Sequence, residues 1–345
     1  MAAAGFETHL VIVATQDEVR HAANKGVTVH TLPVPVGRFS RMVQQAWRCF
    51  SIGRRLDADI YHFHDPELIP YGILLALLGK KVVYDVHEDV PQDILTKEWI
   101  APWIRKAVSA ATGMLEHVGA RYFFSVSAAT PFIAQRFKKI TSHTVNINNF
   151  PLLGELSAGA VDWTSKQNQV CYVGGISQIR GILEVIQAME LTDHGTRLQL
   201  GGKFLEPNIA ALVHNQTGWQ QVDELGWLDR LGVKSVLDRS VAGLVTLHPI
   251  INYIDALPVK MFEYMAAGVP VIASNFPLWR KIIEANDCGL CVDPLAPAEI
   301  AKAIDYLVTH PLEAERMGRN GQQAVNEKYN WNIEEAKLLQ FYANL

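Results

Sequence analysis

The sequence predicts an α/β protein made of two doubly wound domains. Short apolar segments of the kind that form buried parallel strands alternate with helical patterns, and this alternation stops and restarts once along the 345 residues. The first series of predicted strands covers residues 10–14, 27–32, 60–63, 82–84, 122–126 and 144–147. The second series covers residues 170–173, 198–201, 222–225, 243–246, 269–273 and 289–292. Each series can build one parallel sheet with helices on both faces, so two domains are expected.

The interruption between the two series predicts the domain boundary. Turn residues and a proline at 148–151 break the pattern, and a chain of this length can supply a core to each of two domains. We therefore predict an amino-terminal domain at residues 1–149 and a carboxyl-terminal domain at 150–328. Residues 329–345 read as a last helix.

Residues 255–274 combine two acidic side chains with a pattern of turn, helix, turn and strand. Asp255 lies on a turn that contains Pro258, and Glu263 falls in a helical pattern that should end at Gly268. In a parallel sheet such turns lie at the carboxyl edge of the strands, where ligands bind. A carboxylate at this edge suits a ribose diol, although Glu263 could instead cap the helix.

A second candidate site is the loop that follows the strand at residues 170–173. It contains Gly174, Gly175, Arg180 and Gly181 and leads into a helical pattern. Glycines allow close backbone approach, and a helix amino end with an arginine could hold a diphosphate without a metal. The spacing is neither Walker A nor the dinucleotide fingerprint, which disfavours a kinase or a nicotinamide enzyme. A plain strand-to-helix turn is the alternative.

Histidines and acids follow two strands of the first series. His62, His64 and Asp65 stand at the end of one predicted strand, and His87 follows the next. The carboxyl ends of parallel strands meet at one edge, so these side chains are expected near a ligand crevice. No helical pattern of metal-binding histidines is present, and no metal is predicted. Histidines that merely form hydrogen bonds at the sheet edge remain the alternative.

Taken together, these segments resemble family 4 glycosyltransferases. These are retaining enzymes of the GT-B fold, in which two Rossmann-like domains face each other across a cleft. The family signature is two acids separated by seven residues, and here Asp255 stands in place of the first glutamate. The resemblance implies that Glu263 binds the nucleotide ribose and that Lys260 lies beside the phosphates. It assigns contacts with the donor sugar to Asp255 and to the backbone of the next three residues, Ala256, Leu257 and Pro258.

The resemblance also gives roles to the other two segments. The loop with Gly174 and Gly175 would hold the donor diphosphate; the family commonly has an arginine and a lysine where this chain has Gly175 and Arg180. His87 would lie under the donor sugar at the reaction centre. His64 and Asp65 would border the acceptor pocket. The catalytic residues implied are therefore His87, Arg180 and Asp255.

The activity that the resemblance implies is transfer of a sugar from a nucleotide sugar to a hydroxyl acceptor, a glycan or a lipid-linked saccharide, with retention of configuration. No cofactor is expected, and the reaction should not depend on a metal. One alternative is a nucleotide-sugar 2-epimerase of the same fold, in which Asp65, Glu88 and Asp89 could act as acids or bases. Another is an inactive or truncated relative that only binds nucleotide sugars.

The start of the chain departs from the family pattern. The family normally opens with a β-strand and a glycine-containing loop, whereas residues 1–6 here resemble the end of the following helix. The expectation is therefore that the first strand is missing from the centre of the first sheet. A truncated gene model, a different segment that fills the gap and an inactive domain are the three explanations.

Composition and charge limit the location and the partners. A net charge of −4 argues against general binding of nucleic acid. No run of 18 apolar residues and no secretory leader is found, so neither a spanning helix nor secretion is predicted. Four cysteines, with Cys288 and Cys291 interpreted as small strand residues, suit a reducing compartment. A cytoplasmic location is expected.

Tryptophans and cations interleave in one segment of the first domain. Trp99 and Trp103 alternate there with Lys97, Arg105 and Lys106. Such a mixture suits peripheral contact with the inner face of a membrane. It suits equally an ordinary helix with two partly buried tryptophans, and both interpretations stay open.

Overall fold

A computed structural model describes residues 1–97, 100–156, 159 and 161–345, without the side chain of Arg38. The chain forms two compact units, residues 1–148 with 335–345 and residues 149–334. Both units are built from parallel strands connected by helices. This confirms the α/β class predicted from the alternating pattern.

The described residues of the amino-terminal unit form six strands in two separate sheets. The strands are β1 (Thr8–Ile12), β2 (Val27–Thr31), β3 (Ile60–Phe63), β4 (Lys81–Val86), β5 (Ser125–Ala128) and β6 (Thr144–Asn146). Strands β3 to β6 form a four-stranded parallel sheet in that order, and β1 pairs only with β2. Among the described residues no strand joins the two sheets.

Helices connect these strands and cover the four-stranded sheet. They are α1 (Gln16–Ala23), α2 (Gly37–Phe39), α3 (Ala46–Leu56), α4 (Ile69–Leu77), α5 (Val90–Thr96), α6 (Pro102–Tyr122) and α7 (Pro131–Lys138), with a π-helical segment at Ser40–Gln45. Ile69, Tyr84, Val126 and Phe137 are fully buried in the core of this unit. Apolar burial of this kind is the main term that stabilises the sheet.

One predicted strand of this unit begins too early. The prediction of residues 122–126 is wrong at its start, because α6 continues to Tyr122 and β5 begins at Ser125. The aromatic run resembles a strand, but the Phe123 N–H bonds to the Gly119 carbonyl at 2.9 Å and so closes the helix. Phe123 then packs edge-on against Phe63.

In the carboxyl-terminal unit, the residues that the structure describes form one six-stranded parallel sheet. Its strands are β7 (Gln169–Val173), β8 (Arg197–Gly201), β9 (Val222–Gly226), β10 (Ala242–Val245), β11 (Val271–Ser274) and β12 (Gly289–Val292). Their order is β12-β11-β10-β7-β8-β9. All six strands were predicted within a few residues of their observed ends, and the central strands β7, β10 and β11 are short, nearly continuous apolar runs.

The helices of this unit are α8 (Ile182–Glu190), α9 (Pro207–His214), α10 (Arg230–Arg239), α11 (Ile251–Ile254), α12 (Val259–Ala266), α13 (Pro277–Asn286), α14 (Pro297–Thr309), α15 (Pro311–Glu327) and α16 (Trp331–Ala343). The chain passes to the amino-terminal unit within α16, at Glu335. Cys291 lies in β12, as the sequence predicted, whereas Cys288 lies just before this strand; both are free thiols.

Alternate residues of each central strand enter two different cores. Tyr172 and Leu244 belong to one buried cluster, whereas Cys171 and Val245 belong to the other. Successive side chains of a strand point to opposite faces, so both faces of this sheet are covered. A doubly wound sheet has this property, and its ligand-binding edge is the one at which the strands end.

Candidate functional site

The two acids of the 255–274 segment follow β10, at the edge where the strands end. Asp255 comes directly after α11, and α12 begins at Val259 after Pro258. Glu263 is the fifth residue of α12, so it is not the cap of that helix. The structure therefore contradicts the capping interpretation of Glu263. Its carboxylate instead contacts a different helix, α10.

Glu263 forms an ion pair with Arg230, the first residue of α10. The distance between Arg230 Nη1 and Glu263 Oε1 is 2.7 Å, and Arg230 Nε also donates to Glu155 Oε1 at 2.9 Å. The hydrogen bond with Glu155 and then that with Glu263 raise the pKa of Arg230. Sequence reasoning missed Arg230 because nothing in the local pattern signals a partner 33 residues away. The pair fixes one oxygen of Glu263 and leaves Oε2 able to accept from a ligand hydroxyl.

The backbone after Asp255 is held in place by a buried tryptophan. Trp279 is fully buried, and its Nε1–H donates to the carbonyl of Ala256 at 2.7 Å. The Ala256 N–H in turn donates to the Tyr253 carbonyl. Proline has no N–H, so Leu257 supplies the backbone donor of the predicted sugar-binding segment.

Lys260 is a buried cation beside the glycine loop. Its Nζ is inaccessible to solvent and has no hydrogen-bond partner among the residues that the structure describes. It lies 3.9 Å from the centroid of the Tyr172 ring, and a Cβ added at Gly174 would lie 3.5 Å from it. Burial, together with repulsion from Arg180, lowers the pKa of Lys260 to about 7. A buried ammonium without a counterion is unfavourable, so this position is suited to an anion.

The loop from Gly174 to Gly181 provides further polar groups around Lys260. Arg180 Nη1 donates to the Gly175 carbonyl at 3.1 Å and lies so close over Gly175 that a Cβ there would be 2.5 Å from it. Ser177 Oγ on this loop and Thr246 Oγ1 beside it are buried without a hydrogen-bond partner within the described part of the chain. Orphaned hydroxyls are rare in folded proteins and here suit a ligand with many acceptor oxygens.

Gly181 is needed where this loop touches the end of β10. Its φ is +78°, and a Cβ there would lie 2.0 Å from the Thr246 carbonyl oxygen. Gly181→Ala should lower the free energy of unfolding by roughly 3 kcal/mol, because a left-handed conformation and a backbone clash are combined. Urea unfolding measures this.

Gly195→Ala is the matched control, since Gly195 has φ +62° but no atom within 4 Å of an added Cβ. The free energy of unfolding of this variant should fall by only about 1–2 kcal/mol, which is the cost of the left-handed conformation alone. Equal losses in the two variants would contradict the close contact between Gly181 and Thr246.

In the amino-terminal unit, four side chains converge at the carboxyl ends of β3 and β4. One carboxylate oxygen, Asp85 Oδ2, lies 3.1 Å from His62 Nε2, 3.2 Å from His64 Nδ1 and 3.4 Å from His87 Nε2. His64 Nδ1 and His87 Nε2 are 2.8 Å apart. The predicted residues His64 and His87 therefore do meet, and the sequence analysis missed Asp85, the residue that joins them.

The ionisation of this cluster follows from its geometry. Burial acts to raise the pKa of Asp85, but the hydrogen bonds from the three histidines outweigh it and hold that pKa below its usual range. The hydrogen bond with Asp85 raises the pKa of His87. A period-two pattern could have revealed the cluster, since His62 and His64 are two residues apart at the end of β3, as are Asp85 and His87 at the end of β4.

Two other acids of this unit have cationic partners. Asp65 Oδ1 lies 3.5 Å from Arg41 Nη2, and Asp89 Oδ1 lies 3.3 Å from Arg136 Nη1. Arg136 also pairs with the buried Glu116 at 2.9 Å.

Two family models match the chain and together cover most of it. Residues 157–324 match the family described as glycosyl transferases group 1, and residues 1–143 match the glycosyl transferase 4-like domain. The second match ends before the loop that joins the units, and the first contains the glycine loop, Lys260 and Glu263.

Known glycosyltransferases are similar over much of their length. The MMP alpha-(1->4)-mannosyltransferase of Mycolicibacterium hassiacum is 22% identical over 84% of this chain and 71% of that protein. The D-rhamnosyltransferase WbpZ of Pseudomonas aeruginosa is also 22% identical, over 77% of this chain and 68% of that protein. Both act on sugars, according to their names.

Solved structures show the same fold. Sucrose-phosphate synthase from Thermosynechococcus elongatus gives a TM-score of 0.77 at 18% identity, over 99% of this chain and 90% of that one. Anabaena Alr3699/HepE in complex with UDP gives a TM-score of 0.74 at 12% identity, over 98% of this chain and 92% of that one. At these identities the likeness establishes the fold alone.

The fold and the two family matches define a glycosyltransferase of the GT-B fold. The chain belongs to the glycosyl transferases of group 1, with a glycosyl transferase 4-like domain at its amino-terminal end. The resemblance seen in the sequence is thus confirmed at the level of family and fold. The epimerase alternative is not favoured by these matches.

Proposed function

We propose that this glycosyltransferase moves a sugar from a nucleotide-sugar donor to a hydroxyl of a glycan or lipid-linked acceptor, with retention of configuration. The observation that carries the proposal is the buried Lys260 ammonium, which has no hydrogen-bond partner among the described residues and lies against the glycine loop. A donor diphosphate would neutralise this cation. No metal is needed for that step, because protein cations replace it.

The diphosphate would lie between Lys260, Arg180 and the loop at Gly174 and Gly175. Lys260 Nζ lies beside Gly174 and Arg180 Nη1 lies beside Gly175, so the two cations flank the same short loop. In glycosyl transfer, negative charge grows on the departing diphosphate, and positive groups fixed beforehand stabilise that charge most. Arg180 and Lys260 therefore serve both binding and catalysis.

Glu263 would accept hydrogen bonds from the nucleotide ribose. Arg230 donates to its Oε1 at 2.7 Å, and this fixes the orientation of the carboxylate. A fixed carboxylate with a second oxygen available can accept from a sugar hydroxyl at little further entropic cost. Arg230 is thus a positioning residue for Glu263.

The remaining predicted residues would contact sugars. Asp255 and the backbone of Ala256, Leu257 and Pro258 would bind hydroxyls of the donor sugar, and His87 would orient that sugar at the reaction centre. His64 and Asp65 would border the acceptor. A front-face displacement, with the leaving phosphate acting as the base, is the route proposed for retention.

A cytoplasmic location, at the inner face of a membrane, is the proposed setting. All four cysteines are free thiols, which suits a reducing compartment. Trp103 at the start of α6 is 83% exposed, near Arg105 and Lys106, while Trp99 lies outside the described residues. In the described part of the chain, no helix is long and apolar enough to span a bilayer. Peripheral contact through Trp103 is compatible with a lipid-linked acceptor.

Calorimetric titration with a panel of nucleoside diphosphates and nucleotide sugars tests the proposed function. One nucleotide should bind with the same affinity in magnesium and in EDTA. Glu263→Ala should weaken this binding by about tenfold or more, the loss expected for a charged hydrogen bond to a hydroxyl. Folding should persist in the variant, because Arg230 keeps its contact with Glu155.

Glu327→Ala is the matched control, since Glu327 is exposed on α15 and interacts only with Gln323 on the same helix among the hydrogen bonds described. It should bind like the parent. No nucleotide binding by folded protein, or equal binding by the Glu263 and Glu327 variants, would overturn the donor site and favour an inactive relative.

A further inference from the structure

The side chains around Asp85 have the composition and spacing of a metal site. His62, His64 and Asp85 each place a donor atom within 4.8 Å of the others, and His87 Nε2 lies 3.4 Å from the same carboxylate oxygen. We infer that His62, His64, Asp85 and His87 bind one divalent transition-metal ion, with Zn²⁺ as the best match. Three observations support this site: the distances between the donor atoms, the number of protons that these contacts would need, and a hydrogen bond from Tyr342 to one of the histidines.

The three distances from Asp85 Oδ2 to the histidine nitrogens are close to the edges of a tetrahedron. Zn²⁺ binds imidazole nitrogen and carboxylate oxygen at about 2.0–2.1 Å, so the donors of a tetrahedral site lie about 3.3–3.4 Å apart. The separations from Asp85 Oδ2 to the three histidine nitrogens are 3.1, 3.2 and 3.4 Å. The distance between His64 Nδ1 and His87 Nε2 is 2.8 Å, so these two nitrogens must move apart by roughly 0.5 Å to bind the same ion. The His64 side chain is 57% exposed and has room for that movement.

Protons cannot satisfy all these contacts at once. A single carboxylate oxygen has about two lone pairs, yet three ring nitrogens approach Asp85 Oδ2. The proton shared by His64 Nδ1 and His87 Nε2 can belong to only one of them. A cation at the centre accepts a lone pair from every donor, and this removes the conflict.

Tyr342 supplies the outer contact that a metal-binding histidine usually has. Its hydroxyl forms a hydrogen bond with His62 Nδ1, the ring nitrogen that points away from Asp85. Metal-bound histidines nearly always donate their second N–H to such a partner, which fixes the tautomer with the other nitrogen ready to bind. Burial raises the pKa of Tyr342, so the phenol stays neutral.

The ligand chemistry selects the metal. Three imidazoles and one carboxylate suit Zn²⁺ and its neighbours in the first transition series, whereas Mg²⁺ and Ca²⁺ prefer oxygen ligands. The side chains of His64 and His87 are 57% and 40% exposed, which gives the ion a path from solvent. Sequence reasoning predicted no metal because it looked for helical spacing, and these ligands come in pairs from two strands.

A bound ion would occupy His87 and His64, so Zn²⁺ should inhibit sugar transfer; this consequence alone rests on the proposed function. Binding itself does not require that the transferase reaction occurs. The two ideas therefore fail separately: a chain that binds nucleotide but no metal refutes only this site.

Titration of the full-length, chelator-treated chain with Co²⁺ tests the site directly. One equivalent should produce the strong visible absorption of tetrahedral Co²⁺, and Zn²⁺ should displace it. His64→Ala should weaken Zn²⁺ binding by more than the 10- to 100-fold that is typical of losing an outer partner, and Tyr342→Phe should fall within that range. His64 is exposed, so its variant should fold like the parent.

His117→Ala is the control, because His117 is an exposed histidine of α6 outside the cluster. It should leave the Co²⁺ spectrum and the Zn²⁺ affinity unchanged. A weak octahedral spectrum, or equal Zn²⁺ affinity in the His64 and His117 variants, would overturn the four-ligand site.

Discussion

Arg180→Ala is expected to lower kcat by roughly 10²- to 10³-fold, the effect of removing one fixed group from a developing charge. Arg180 bonds within the protein only to the Gly175 carbonyl, at 3.1 Å, among the hydrogen bonds described. Its loss should therefore change the thermal unfolding midpoint little. The charge on the leaving diphosphate is larger in the transition state than in the bound donor, so kcat should fall more than KM rises. Steady-state kinetics with the donor found by titration measures both parameters.

Two further variants decide how Arg180 acts. Arg180→Lys keeps the charge but loses the planar pair of donors, so it should recover part of the rate. Arg239→Ala is the matched control, since Arg239 ends α10 before the amino end of β10 and is exposed. A rate for Arg180→Ala equal to that of the Arg239 variant would refute the assignment of Arg180 to the diphosphate.

The sequence predicted the strands well because their signal is local. Residues 60–63 and 289–292 were predicted with the bounds observed for β3 and β12, since each is a short, largely apolar segment between polar residues. The prediction for β11 began two residues early, at Val269. Val269 and Pro270 continue the apolar composition of the segment, but the strand begins only after the proline. Ends of elements depend on backbone hydrogen bonds that the pattern does not show.

The candidate site was predicted less completely than the fold. Glycines and charged residues at strand ends led to Lys260 and His87, because parallel strands place their ends at one edge. The contacts of these residues come from elements distant in the chain. Arg230 meets Glu263 across 33 positions, and Tyr342 meets His62 across 280. Periodicity tells which face of an element is buried, but not which other element lies beside it.

His248 illustrates the same limit. It follows β10, and its Nε2 lies 3.0 Å from Glu184 Oε2 in the first turn of α8. Nothing in the sequence near position 248 indicates this partner. The pair ties the start of the helix after the glycine loop to the end of a central strand, and it helps to hold the loop in place.

Lys260→Met is expected to make the folded protein more stable while weakening nucleotide binding. Burial, with repulsion from Arg180, lowers the pKa of Lys260 to about 7, whereas an unfolded lysine titrates at about 10.4. Each pKa unit corresponds to about 1.4 kcal/mol, so the buried charge destabilises the fold by a few kcal/mol at low pH. Methionine has a similar length and no charge, and it should raise the unfolding midpoint accordingly.

The pH dependence identifies the buried ammonium as the cause. Between about pH 7 and pH 10 the unfolded chain binds more protons at this position than the folded chain does, so stability rises with pH. The gain from Lys260→Met should therefore be full below about pH 7 and vanish as the pH approaches 10. Lys302→Met, at an exposed position of α14, is the control and should show no such dependence.

Nucleotide binding should reverse the effect of burial on the pKa of Lys260. A diphosphate beside the ammonium raises its pKa again, so binding above about pH 7 should take up as much as one proton and weaken as the pH rises. Calorimetry in buffers of different ionisation enthalpy counts these protons. The Lys260 variant should bind weakly and take up none, whereas the Lys302 variant should behave like the parent. Proton uptake that persists in Lys260→Met would show that another group contacts the phosphates and that the buried lysine does not.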